Sequence, residues 1–226
     1  MAKNYISRSW IFVHNELRAD FRHLQSLAAQ TMFVVVSTYL IYSGLDLLGQ
    51  TVLSNRVFNL IFWLIMIFTV VNVTASSFIR DAKGMDLYYY TLIKPSVYFA
   101  GKLLSSFLSV LLLSFLLTLL FSQVFSLNYM LSVHWWTTTL LGALGMTGLF
   151  TLIAGMASRT GQNQILIVVL GFPLAIPLLL FLMKNLWSID MAYSQDFSIM
   201  SLSTLLVFDG LILGLGFLLF PYIWGD

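Results

Sequence analysis

Val110-Leu111-Leu112-Leu113-Ser114-Phe115-Leu116-Leu117-Thr118-Leu119-Leu120 and Ile165-Leu166-Ile167-Val168-Val169-Leu170 are apolar on every face. A strand of an outer-membrane barrel runs for about ten residues and alternates apolar with polar. These runs do not alternate, and each belongs to a longer apolar stretch. A hydrocarbon layer about 30 Å thick takes roughly 20 residues of helix to cross. Six stretches near that length follow one another, at 28–48, 57–78, 97–121, 135–157, 165–183 and 202–224. The fold class expected is therefore an all-α integral membrane protein of six spans. The connections are short and polar, and one transmembrane domain over 1–226 is expected.

Composition agrees. Of 226 residues, 59% are hydrophobic and 9% are charged, and the mean hydropathy is +0.91. Soluble domains carry about 25% charged residues, so there is too little polar surface here to cover a water-soluble globule. A net charge of +2 argues against nucleic acid as a partner. The absence of cysteine excludes disulfides, thiolate metal sites and cysteine nucleophiles, and leaves the redox compartment undetermined.

No apolar core ahead of a small-residue cleavage site marks a signal peptide in residues 1–25. Ile6, Trp10, Val13, Leu17, Phe21 and Leu24 instead recur at helical spacing, opposite Arg8, Asn15, Arg18, Arg22 and Gln25. This predicts an amphipathic helix over 5–25, lying in the membrane interface or packed on another protein. Orientation follows from the basic residues. Lys3, Arg8, Arg18, Arg22, Arg80, Lys83, Lys94, Lys102 and Arg159 fall on one side, against Arg56 and Lys184 on the other. The positive-inside rule then places both termini in the cytoplasm.

The search for chemistry returns mostly exclusions. Gly142, Gly145 and Gly148 sit inside the fourth run, where helix packing accounts for them and a phosphate loop does not. Gly101-Lys102 is followed by Leu103 where a nucleotide-binding loop needs Ser or Thr. No catalytic cluster is visible, and any driven step needs a separate ATPase. His134, Trp135 and Trp136 stand at the mouth of the fourth span, either as an aromatic belt or as a haem contact. Asp209 is the one acid well inside a span, with a functional and a pairing role both open. Asn72, Thr69 and Ser76 share a face of the second span and either line a path or bond between helices. Gly210 and Gly214 form a G-x-x-x-G suited to close helix contact. Pro173 and Pro177 are expected to kink or unwind the fifth span.

Between the second and third spans lies Ser77-Phe78-Ile79-Arg80-Asp81-Ala82-Lys83-Gly84-Met85-Asp86-Leu87-Tyr88-Tyr89-Tyr90-Thr91-Leu92-Ile93-Lys94-Pro95. Arg80, Asp81, Lys83 and Asp86 make a charged rim around Tyr88, Tyr89 and Leu92, which suits a docking surface for an ATPase. A plain interfacial helix is the alternative. The other cytoplasmic connection, Ser158–Gln164, offers little area.

An interfacial N-terminal helix, six spans and a cytoplasmic docking segment resemble the permeases of ABC-2-type exporters. More specifically, the chain resembles the heme exporter protein B family, permeases of the cytochrome c maturation system. Gly171-Phe172-Pro173-Leu174-Ala175-Ile176-Pro177-Leu178-Leu179-Leu180-Phe181 is close to that family's P-L-x-I-P-L-L. Phe78 to Pro95 is similar to its F-x-x-D…G…L…L-x-x-P connection, followed by Gly101-Lys102 where the family tends to have a lysine. Gly148–Gln164 is similar to its short basic turn. The family often has glutamate after the glycine of the connection, where this chain has Asp86 and tyrosines.

The resemblance implies a bacterial inner-membrane complex with a dedicated ATPase, a haem-handling membrane protein and a periplasmic haem chaperone. It also implies a second copy of the permease. No intrinsic cofactor is expected: haem would be the substrate, and ATP would act through the partner subunit. A permease for a lipid, polysaccharide or drug, and a membrane scaffold that transports nothing, are the other readings.

Overall fold

A computed structural model of the chain describes residues 24–47, 49, 54–81, 94–158, 163–190 and 195–225. Within them the elements are α1 (Leu24–Leu47), α2 (Asn55–Asp81), α3 (Pro95–Val124), a 3-10 turn (Asn128–Leu131), α4 (Val133–Ala157), α5 (Asn163–Asp190) and α6 (Gln195–Gly225). All six α-helices are long and apolar enough to cross a membrane. In lipid each backbone donor must be satisfied within its own segment, which helices do and open strands do not. The anticipated interfacial helix, up to residue 23, lies outside the described residues.

Local signals set several helix ends. Pro95 occupies the first turn of α3, where its missing N–H costs nothing. Ser132 caps α4 by accepting from the Trp135 N–H at 3.2 Å. The 3-10 turn was not legible as an element. It buries Met130 and sends the Tyr129 hydroxyl to Asn59 Oδ1 at 3.0 Å, tying the α3–α4 connection to α2.

Helix α4 is the axis of the bundle. It touches α2, α3, α5 and α6, and 72% of its span is buried, against 17% for α1 and for α6. Glycine allows this. The ring of Trp63 on α2 and the side chain of Leu182 on α5 press against Gly142. Asp209 of α6 presses against Gly145, and Ile212 and Leu213 against Gly148. Phe220 of α6 lies 2.5 Å from where a Cβ on Gly155 would stand. Close approach of this kind drives helix association in lipid, where burial of apolar surface supplies little. Two hydroxyls on α4 donate to their own helix, Thr138 to the His134 carbonyl and Thr147 to that of Ala143.

Aromatic clusters close the two ends. At the end formed by residues 125–132, Phe62 lies edge-on to Trp135 at 4.9 Å and to Phe121 at 5.9 Å. At the opposite end, Tyr98 stacks on Phe220 at 6.0 Å, and Phe99 meets Phe220 at 5.1 Å. Such pairs contribute about 0.5–1.5 kcal/mol each beyond the area they bury.

Gly210 and Gly214 have nothing within 4 Å of an added Cβ, so among the described residues no other helix packs on the G-x-x-x-G of α6. Helix α5 runs through Pro173 and Pro177 without a break, so the motif does not unwind it. Its opposite face, Ile167, Gly171, Ala175, Leu178 and Leu182, is buried. Gly171, Leu178 and Leu182 on that face pack against α4. Both prolines stand on the exposed side, beside Leu174, Ile176 and Leu180.

Candidate functional site

The segment expected to dock an ATPase is rooted in two described helix ends. Arg80 and Asp81 form the last turn of α2. Lys83, Asp86, Tyr88, Tyr89 and Leu92 lie outside the described residues. The roots themselves are packed. Phe78 and Tyr98 meet edge to face with ring centroids 6.2 Å apart, and Lys102, two turns into α3, is fully buried beside them. Its Nζ donates to the Ser77 carbonyl at 2.9 Å and stands 5.8 Å from the centroid of each ring. In the sequence Lys102 enters the charge count, the rejected nucleotide-binding loop and the family resemblance, but not as a buried residue. A lysine near a span end is usually one that snorkels to water, and nothing in its neighbours announces burial.

At the other end, His134, Trp135 and Trp136 separate by role. Trp135 is fully buried, with Nε1 donating to Thr118 Oγ1 at 3.4 Å, and so is core and not an interfacial belt. Trp136 is half-buried and packs on Phe115 at 5.5 Å. His134 Nε2 lies 3.5 Å from the Asn185 carbonyl. Asn185 is itself buried and donates to Thr138 Oγ1 at 3.1 Å. This ties the start of α4 to the end of α5. Asn185 had no periodic signal, because it continues an otherwise apolar stripe.

Asn72, Thr69 and Ser76 do not form one polar track. Thr69 is buried and donates to the Ile65 carbonyl at 2.8 Å. Ser76 donates to Val73 and receives Gln30 Nε2 of α1 at 3.5 Å. Asn72 is exposed, in line with Leu60, Leu64 and Phe68.

Asp209 is the sharpest feature inside the membrane. It is 2% exposed, and neither carboxyl oxygen has a hydrogen-bond partner among the described residues. Its Oδ1 crowds the position of a Cβ on Gly145, which Leu178 also approaches. The pairing role left open by the sequence therefore has no partner among the described residues. A buried ionisable group without a partner costs stability and by default points to function. Asp209→Asn is expected to keep insertion and thermal stability at wild-type level or above while cytochrome c production falls. Undiminished production in cells carrying only that variant would make the carboxyl a packing residue. Among the described residues no three His, Asp or Glu side chains gather as a metal site.

A family model described as CcmB protein matches residues 7–214, from ahead of α1 into the second half of α6. The chain belongs to the CcmB family. No curated protein matches it. Membership makes this chain, with six membrane-length helices among its described residues, a multi-pass membrane component of haem transport in cytochrome c biogenesis. The resemblance drawn from Pro173, Pro177 and the Phe78–Pro95 connection is thereby borne out at the level of the family. Lys102, Asn185 and Asp209 are among the polar residues that this CcmB chain buries, beside Gln30, Asn59 and a series of serines and threonines.

Proposed function

We propose that the chain is the permease subunit of an ABC transporter complex that exports or delivers haem for c-type cytochromes. Family membership over residues 7–214 is the observation that carries this reading. A chain without a nucleotide-binding motif takes its energy from elsewhere, so a separate ATPase hydrolyses ATP and docks on residues 80–92. A second copy of the permease, a haem-handling membrane protein and a periplasmic haem chaperone complete the complex. Haem is cargo in this scheme. No ligand to its iron is assigned, and His134, Trp136, Asn72 and Asp209 are the positions at which a path would be sought. The complex sits in the bacterial inner membrane with both termini of this chain in the cytoplasm. Pro173 and Pro177, on the exposed face of α5, shape the cleft between the two copies.

Two experiments test this. Affinity-tagged permease should bring down one ATPase together with haem-handling proteins, and its deletion should abolish holo-cytochrome c. A complex containing a lipid- or drug-handling partner instead, with cytochrome c intact, would replace the reading. Orientation is tested with single cysteines in the cysteine-free chain. Cysteine at 184 is expected to react with an impermeant reagent in intact cells, and cysteine at 83 only after the membrane is opened. The opposite pattern would invert the topology.

A further inference from the structure

Leu60, Leu64, Phe68 and Asn72 recur at every fourth position of α2 and are exposed, while all residues between them except Ile61 are buried. Asn72 is thus the polar member of a narrow row that is otherwise apolar. Its span, Asn55–Phe78, has 24 residues, about 36 Å of helix against about 30 Å of hydrocarbon. Asn72 stands more than one turn before the end of that span and therefore within the apolar layer. Its amide offers two donors and an acceptor, and makes no hydrogen bond to another described residue. Thr69 and Thr74 differ: they donate to the carbonyls of Ile65 and Val70, one turn back in the same helix. An amide in hydrocarbon without a partner is costly. Asparagine in a span is a residue that joins helices by hydrogen bonds.

A lipid tail supplies neither donor nor acceptor, so the group that satisfies Asn72 from outside carries both at the same depth. A second copy of the chain, inserted in the same orientation, brings them there by symmetry. Across a two-fold axis along the membrane normal Asn72 meets Asn72, and each amide donates to the carbonyl oxygen of the other. A row at every fourth residue is also the ridge that fits the groove of an identical helix. The row continues toward the face of α5 read above as turned to the second copy: Phe68 meets Phe172 at 5.4 Å, and Phe172 precedes Pro173. The exposed G-x-x-x-G of α6 is the rival surface, but glycines there call for no particular partner. We propose that the exposed row of α2 is the self-association face of the permease, with its register fixed by reciprocal hydrogen bonds between two Asn72 amides. The proposal rests on the reading of the chain as a permease that works as two copies.

The full permease is compared as wild type, Asn72→Leu and Asn72→Gln, by thermal unfolding in detergent and by energy transfer between labelled copies diluted into lipid bilayers. Asn72→Leu is expected to unfold as the wild type does, since the residue is exposed, yet to dimerise about tenfold more weakly. Asn72→Gln keeps the amide and should retain most of the association. In native membranes holding the whole complex, Asn72→Cys is expected to cross-link one copy to another with a short bifunctional thiol reagent, and Gly214→Cys is not. Wild-type dimerisation by Asn72→Leu would overturn the proposal and leave the two-copy reading standing. Copy-to-copy cross-links from Gly214→Cys and none from Asn72→Cys would move the interface to α6. Cross-linking of Asn72→Cys to a different membrane protein would overturn it in favour of that partner. A single wild-type copy in each purified complex would remove the two-copy reading and the proposal together.

Discussion

Tyr88→Ala combined with Tyr89→Ala is expected to weaken ATPase binding by about tenfold to a hundredfold, with the permease still inserted and folded. On the proposed reading the chain, which carries no nucleotide-binding motif, is driven by another subunit across a cytoplasmic surface. In the proposed orientation residues 82–93 belong to the longer of the two connections on that side, and aromatic side chains dominate the energy of most interfaces. Truncating one such side chain costs roughly 2 kcal/mol or more at a hot spot. Lys83→Ala should cost far less, because exposed ion pairs contribute only about 0–1 kcal/mol. Pull-down of the ATPase from detergent extracts reads the effect directly, and cytochrome c production reads its consequence in cells. Wild-type binding by the tyrosine pair variant, with loss on changing residues 158–164, would move the docking surface to the other connection.

Gly142→Val is expected to destabilise the bundle by about 3 kcal/mol, the upper end of the usual range for overpacking. A Cβ at this position runs into the ring of Trp63 and approaches Leu182 Cδ2 to 2.8 Å. Neither neighbour has room to move aside. Trp63 is 1% exposed and edge-on to Phe62 at 5.5 Å, and Leu182 is fully buried. Gly214→Val, on a face with nothing within 4 Å, is the matched control and should unfold as the wild type does. Thermal unfolding of the purified permease in detergent separates them. Equal stability of the two variants would mean that α4 is not clamped between α2 and α5 as described.

The two substitutions also divide what was legible. The G-x-x-G-x-x-G and the G-x-x-x-G look alike as sequence, and both suit close helix contact. Among the described residues Gly142, Gly145 and Gly148 are used for it, while no other helix packs on Gly210 and Gly214. Trp135 and Trp136 are adjacent in sequence at an expected membrane boundary, yet one is core and the other half-buried. Pro173 and Pro177 announced a family motif, but not that α5 would carry them on its exposed side in an unbroken helix.

What the sequence determined by itself is the number of spans, their ends to within a few residues at most boundaries, and the family. The thickness of the hydrocarbon layer and the need to satisfy every backbone group act on each segment separately, so local composition is enough to read them. Which face of each helix turns inward was decided only by the tertiary structure. In water the inward face announces itself as an apolar stripe at helical period. A span is apolar all round, and lipid and protein interior are equally hospitable to leucine. Placing α4 at the centre, burying Lys102 beside Phe78 and Tyr98, and leaving Asp209 against Gly145 are therefore outcomes of shape, close approach and hydrogen bonding between distant residues, none of which hydrophobic period encodes.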